Sequence, residues 1–84
     1  METQTKEFLI KLIEEQKQYV LEVEKGYNKI ASGLFQNDYF RNFIFEHFGA
    51  GYFGETKTEW CYLDKGFIID DMDEMIEKLK LLNF

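Results

Sequence analysis

The chain has 84 residues, enough for one domain and too few for two. Its composition, 45% hydrophobic and 18% aromatic with nine Phe, excludes the low-hydrophobicity pattern of a disordered chain. The net charge of −6 makes a phosphate backbone a poor partner and a basic protein surface a good one.

Cys61 is the single cysteine, so no intramolecular disulfide can form, and no Cys/His cluster offers a structural zinc site. A small domain without such staples reads as soluble and cytoplasmic. The opening residues carry acids as well as a base and lack the apolar run of a signal peptide, and no stretch is apolar enough to span a membrane. The expected unit is a single domain over residues 1–84, frayed at 1–4.

Residues 5–32 read as one long helix. Leu9, Ile13, Val20, Val23, Tyr27, Ile30 and Leu34 recur at steps of four and three, with Gln16 at the missing step. Phe8, Leu12 and Tyr19 widen the stripe on one side, and pairs such as Glu14–Lys17 support the outer face. Such a helix spans roughly 42 Å at 1.5 Å per residue, against roughly 30 Å across for a globule of this size. Either it breaks near Gly26, or one end overhangs and pairs with a second copy. In the second case Leu9, Ile13, Gln16, Val20, Val23 and Tyr27 form the seam of a homodimer.

Asn37 or Asp38 can cap a second helix over 38–48. Phe40, Phe43, Ile44, His47 and Phe48 share its buried face, Phe45 lies away from it, and Gly49 can end it. Residues 57–70 read as an antiparallel hairpin. Thr58, Trp60 and Tyr62 alternate with Glu59, Cys61 and Leu63; Asp64-Lys65-Gly66 makes the turn with Gly66 left-handed; and Phe67-Ile68-Ile69 returns. Asp71, with Glu74 as capping-box partner, then opens a last helix over 71–82, burying Met72, Met75, Ile76, Leu79 and Leu82. The expected class is α+β, in the order α-α-β-β-α.

No combination of residues points to catalysis, a metal or a cofactor. Gly49-Ala50-Gly51-Tyr52-Phe53-Gly54 has the spacing of a dinucleotide fingerprint, but a strand is expected after it and no βαβ unit can follow, so it reads as a glycine-rich loop. A ligand-binding protein or enzyme built on that loop is the least supported reading. His47 has no Ser or Cys in a motif pointing to it and reads as a half-buried packing residue; Cys61 reads as a buried thiol in a strand.

Charge is uneven. Residues 1–36 hold six acids and five bases, and residues 37–84 hold ten and five. Asp70, Asp71, Asp73, Glu74 and Glu77 crowd into eight residues. One account is an acidic helix start meeting its own dipole. The other is a docking edge, Asp70, Asp73, Glu74 and Glu77 with Tyr62 as an exposed aromatic, for a basic protein. The function expected is a small acidic protein-binding module, of the kind found among inhibitors or accessory proteins of phage and mobile elements. A structural or regulatory homodimer is the alternative.

Overall fold

The computed structural model describes residues 6–82; the expected fraying at 1–4 lies outside them. Among the described residues five helices follow one another: α1 (Lys6–Glu22), α2 (Tyr27–Gly33), α3 (Asp38–Phe48), α4 (Ala50–Trp60) and α5 (Lys65–Leu81), with a 3-10 turn at Leu34–Gln36. No strand occurs among the described residues, so the fold is all-α and not α+β.

The expected hairpin at 57–70 is therefore corrected. Residues up to Trp60 finish α4, and Lys65 already opens α5. Thr58, Trp60 and Tyr62 do alternate, but only Trp60 among them is buried. The period that matters is helical: Thr56 and Trp60 are buried one turn apart, and Phe53 packs on the same core. Likewise Ile68 is the first step of a stripe that continues through Met72, Met75, Ile76 and Leu79. The aromatic and β-branched run Phe67-Ile68-Ile69 favours a strand only where a sheet exists to receive it, and a lone hairpin is marginal. Gly66 is helical rather than left-handed, and Asp71 sits inside α5 rather than at its start, so neither the turn nor the capping box forms.

The long first helix breaks, as the length argument allowed. Residues 23–26 separate α1 from α2, with Gly26 at φ 79°. The longest axis of the molecule is 36 Å, shorter than an unbroken helix of that length. The stripe Leu9, Ile13 and Val20 is fully buried within the chain. It lies against α5, which runs antiparallel: Lys17 pairs with Asp73 at 2.5 Å, rather than with Glu14, and each helix end meets the opposite end of its neighbour.

The second helix forms over Asp38–Phe48, and Asn37 caps it by accepting from the Phe40 amide at 2.9 Å. Phe35, in the 3-10 turn, is the hub of the aromatic core. Its ring meets Phe40 at 5.4 Å, Phe53 at 5.2 Å and Trp60 at 5.1 Å, each edge to face, a geometry that adds to simple burial.

Helix C-termini leave carbonyls without partners. Here side chains distant in sequence supply three of the caps. Lys65 Nζ donates to the carbonyls of Leu21 and Val23 at the end of α1 and lies 5.8 Å over the Tyr27 ring. Asn28 Nδ2 donates to Trp60 at 2.6 Å and Leu63 at 2.9 Å beyond α4. Lys6 Nζ donates to Leu82 at 2.6 Å and Lys80 at 3.2 Å at the end of α5. The two lysines also place positive charge at the negative end of a helix dipole.

The glycines give a paired test. Gly49, between α3 and α4, has φ 94°, whereas Gly51 lies inside α4 with open space where a Cβ would sit. Gly49→Ala should lower stability by about 1 kcal/mol or more, and Gly51→Ala should raise it by about 0.5–1 kcal/mol, in urea denaturation. Equal effects of the same sign would contradict the helix boundary placed here.

Candidate functional site

Of the residues singled out for partner binding, all but Tyr62 lie on α5. At about 100° per residue, its acids spread over nearly half the helix circumference. Their surroundings sort them. Asp71 is half-buried and accepts from Trp60 Nε1 at 3.0 Å, tying α5 to the end of α4. Asp73 is held by Lys17 on the α1 side. Asp70, Glu74 and Glu77 are exposed on the outer side. Glu77 is 3.6 Å from Lys80, both of them in solvent, a pairing worth little. No ion pair holds Asp70 or Glu74 among the described residues.

This placement removes the account in which the acids meet their own helix dipole. The first turn of α5 holds no acidic residue, and Asp64 at its N-cap makes no side-chain capping bond. The dipole acts within the first turn, and every one of the five carboxylates lies beyond it.

Tyr62, in the turn after α4, is 82% exposed, and Phe67 is 60% exposed one turn into the chain beyond it. The sequence pattern places Phe67 on a strand; on α5 it stands on the same outer side as Asp70 and Glu74. Leu81, at the far end, is 84% exposed. Neither Phe67 nor Leu81 stands out in the sequence as a surface residue until α5 is known to begin at Lys65.

Between α4 and α5 lies a cleft of about 190 Å³ lined by Tyr52, Glu55, Thr56, Glu59, Asp71 and Glu74. Glu55 and Glu59 were not picked out in the sequence, because their spacing of one helical turn has meaning only once α4 is a helix. Burial, above all, raises the Tyr52 hydroxyl above its ordinary pKa; the Thr56 hydrogen bond opposes this, and Glu74, Asp71 and Glu59 add to it. The hydroxyl therefore stays protonated at neutral pH. Lys78 Nζ lies 5.8 Å over the Tyr52 ring. A wider hollow on the outer side of α4, lined by Gly54, Glu55, Thr58 and Glu59, is open to solvent.

The segment 49–54 is not a loop. Gly49 is the joint after α3, and α4 runs on from Ala50, with no strand before it. Cys61 is exposed rather than buried, and its thiol donates to the Lys57 carbonyl at 3.5 Å. Ser32 Oγ donates to Asn28 at 2.8 Å, one turn back in α2. His47 is exposed but does pack, its ring stacked on Phe43 at 4.2 Å. Among the described residues no three His, Cys, Asp or Glu side chains could together hold a metal ion.

The residues proposed for a homodimer seam lie differently. Leu9, Ile13 and Val20 are enclosed in the chain's own core, while Gln16, Val23 and Tyr27 are partly covered. With α1 ending at Glu22, the length mismatch that motivated pairing is gone. No helix among the described residues is long and apolar enough to cross a membrane. No protein-family model, no curated protein and no solved structure matches the chain.

Proposed function

We propose that the chain is a small acidic protein-binding module that docks on a basic partner through the outer side of α5, with Tyr62 and Phe67 beside the acids. The observation that carries this reading is the position of the carboxylates. They are concentrated in the body of a 17-residue helix, where its dipole does not call for them, and the outward ones are unpaired or weakly paired. Like charges packed along one helix destabilise it slightly, by about 0.2–0.5 kcal/mol per pair. A partner that neutralises them turns that cost into steering and specificity, while exposed aromatics supply holding energy. Docking of this kind suits an inhibitor or accessory protein that acts by occupying a surface.

The test uses Asp70 and Glu77. Asp73 is unsuitable because its replacement by Lys would set two ammonium groups together at Lys17, and Asp71 because it holds Trp60. The Asp70→Lys/Glu77→Lys variant should keep its helical circular dichroism. Proteins from host lysate captured by the wild type should be basic and should be lost from the variant. For a partner so identified, the association rate should fall at least about ten-fold and lose much of its salt dependence. A folded variant that captures the same proteins at the same rate across salt concentrations would refute the reading.

A further inference from the structure

We propose that the occupant of the α5 face is a single basic amphipathic helix lying along it; this rests on the docking reading above and specifies its partner. The inner face of α5 is already used, with Ile68, Met72, Met75, Ile76 and Leu79 in the core. On the opposite side Phe67, Asp70, Glu74, Glu77 and Leu81 recur at steps of three, four, three and four, and all five are exposed. That is the spacing with which one helix presents a seam to another. The seam is about 21 Å long at 1.5 Å per residue. It has an apolar residue at each end and three carboxylates between.

The arrangement selects among occupants by charge and shape. A second copy of the same face would set its three carboxylates against three others. Nucleic acid is repelled for the same reason. A peptide that adds as a β-strand needs a sheet edge for its backbone, and the described residues contain none. A helix satisfies its own backbone and repeats side chains at the same steps. The matching partner helix carries two apolar residues two heptads apart, which pack beside Phe67 and Leu81, and Lys or Arg at the three seam positions between them. Charge-assisted hydrogen bonds to Asp70, Glu74 and Glu77 then fix the register. The on-seam acids are the ones left without a firm partner, whereas the off-seam Asp71 and Asp73 are engaged within the chain.

The experiment uses a labelled synthetic helix of three heptads built on Ala and Gln. It has Leu at two positions two heptads apart and Arg at the three seam positions between. The control is a peptide of identical composition with the Arg and Leu distributed around the helix. Titration by fluorescence anisotropy at near-physiological salt should show the ordered peptide binding at least about ten-fold tighter. The Phe67→Ala/Leu81→Ala variant, which changes only exposed side chains, should stay helical. It should bind the ordered peptide more weakly than wild type does and lose much of the preference over the control peptide, the rest coming from the three carboxylates it keeps. Equal affinity of wild type for both peptides would overturn the helix proposal while leaving charge-driven docking intact. Failure of both peptides to bind even at low salt would also overturn it. The docking reading would then stand or fall on the Lys variant and the captured proteins.

Discussion

Replacing Trp60 by Ala should cost about 3–5 kcal/mol, a large part of the roughly 5–15 kcal/mol that holds a domain together. Trp60 is fully buried, sits edge to face with Phe35, and donates its indole N–H to Asp71. It joins the end of α4 to both the aromatic hub and α5. Truncation opens a cavity at that junction and leaves Asp71, half-buried, without its donor. Urea denaturation followed by circular dichroism is the measurement, since Trp60 is the chain's one tryptophan and its fluorescence disappears with it. Trp60→Phe keeps most of the volume and loses the donor, so it should fall between the two. A Trp60→Ala variant within about 1 kcal/mol of wild type would mean that the α4–α5 junction is not built as described.

Val20→Asp should have a comparable effect, about 4 kcal/mol or more, enough to unfold much of the chain at room temperature. In the homodimer reading this substitution would split a dimer into folded monomers. In the structure Val20 is fully buried against the chain's own elements, so the carboxylate has no water and no partner. Tyr19 is exposed on the adjoining side of α1 and supplies the control: Tyr19→Asp should leave the urea midpoint nearly unchanged, within about 0.5 kcal/mol. A Val20→Asp chain that remains folded as a monomer would show that the stripe serves association instead of the core.

How much of this was legible before the structure depends on which signal each segment carries. Leu9, Ile13 and Val20 announced an amphipathic helix, and the conflict between its length and the size of the globule announced either a break at Gly26 or a partner. Asn37 and the Phe40, Phe43, Ile44 set announced α3. These are local signals: a cap, a period of three to four, and a residue able to take positive φ. Tyr62, expected at the surface, is exposed, whereas the face of α5 that carries Phe67 and Leu81 cannot be seen as long as 57–70 reads as a hairpin.

The sequence by itself determined that the chain is acidic, aromatic-rich and without an intramolecular disulfide, that a helix carries Leu9, Ile13 and Val20 and another spans 38–48, and that carboxylates crowd at 70–77. Only the tertiary structure decided the state of residues 57–70. Aromatic and β-branched residues favour a strand in isolation, but Trp60 at the end of α4 packs on Phe35 and donates to Asp71, and Ile68 joins the Met72–Leu79 stripe because α5 begins at Lys65. Burial of those two side chains is worth several kcal/mol, about 1.5–3 each, against a β-propensity scale that spans about 1. That same packing moved the acids from the start of a helix to its middle. It thereby turned a feature explained by the helix dipole into an outward-facing surface that needs another explanation.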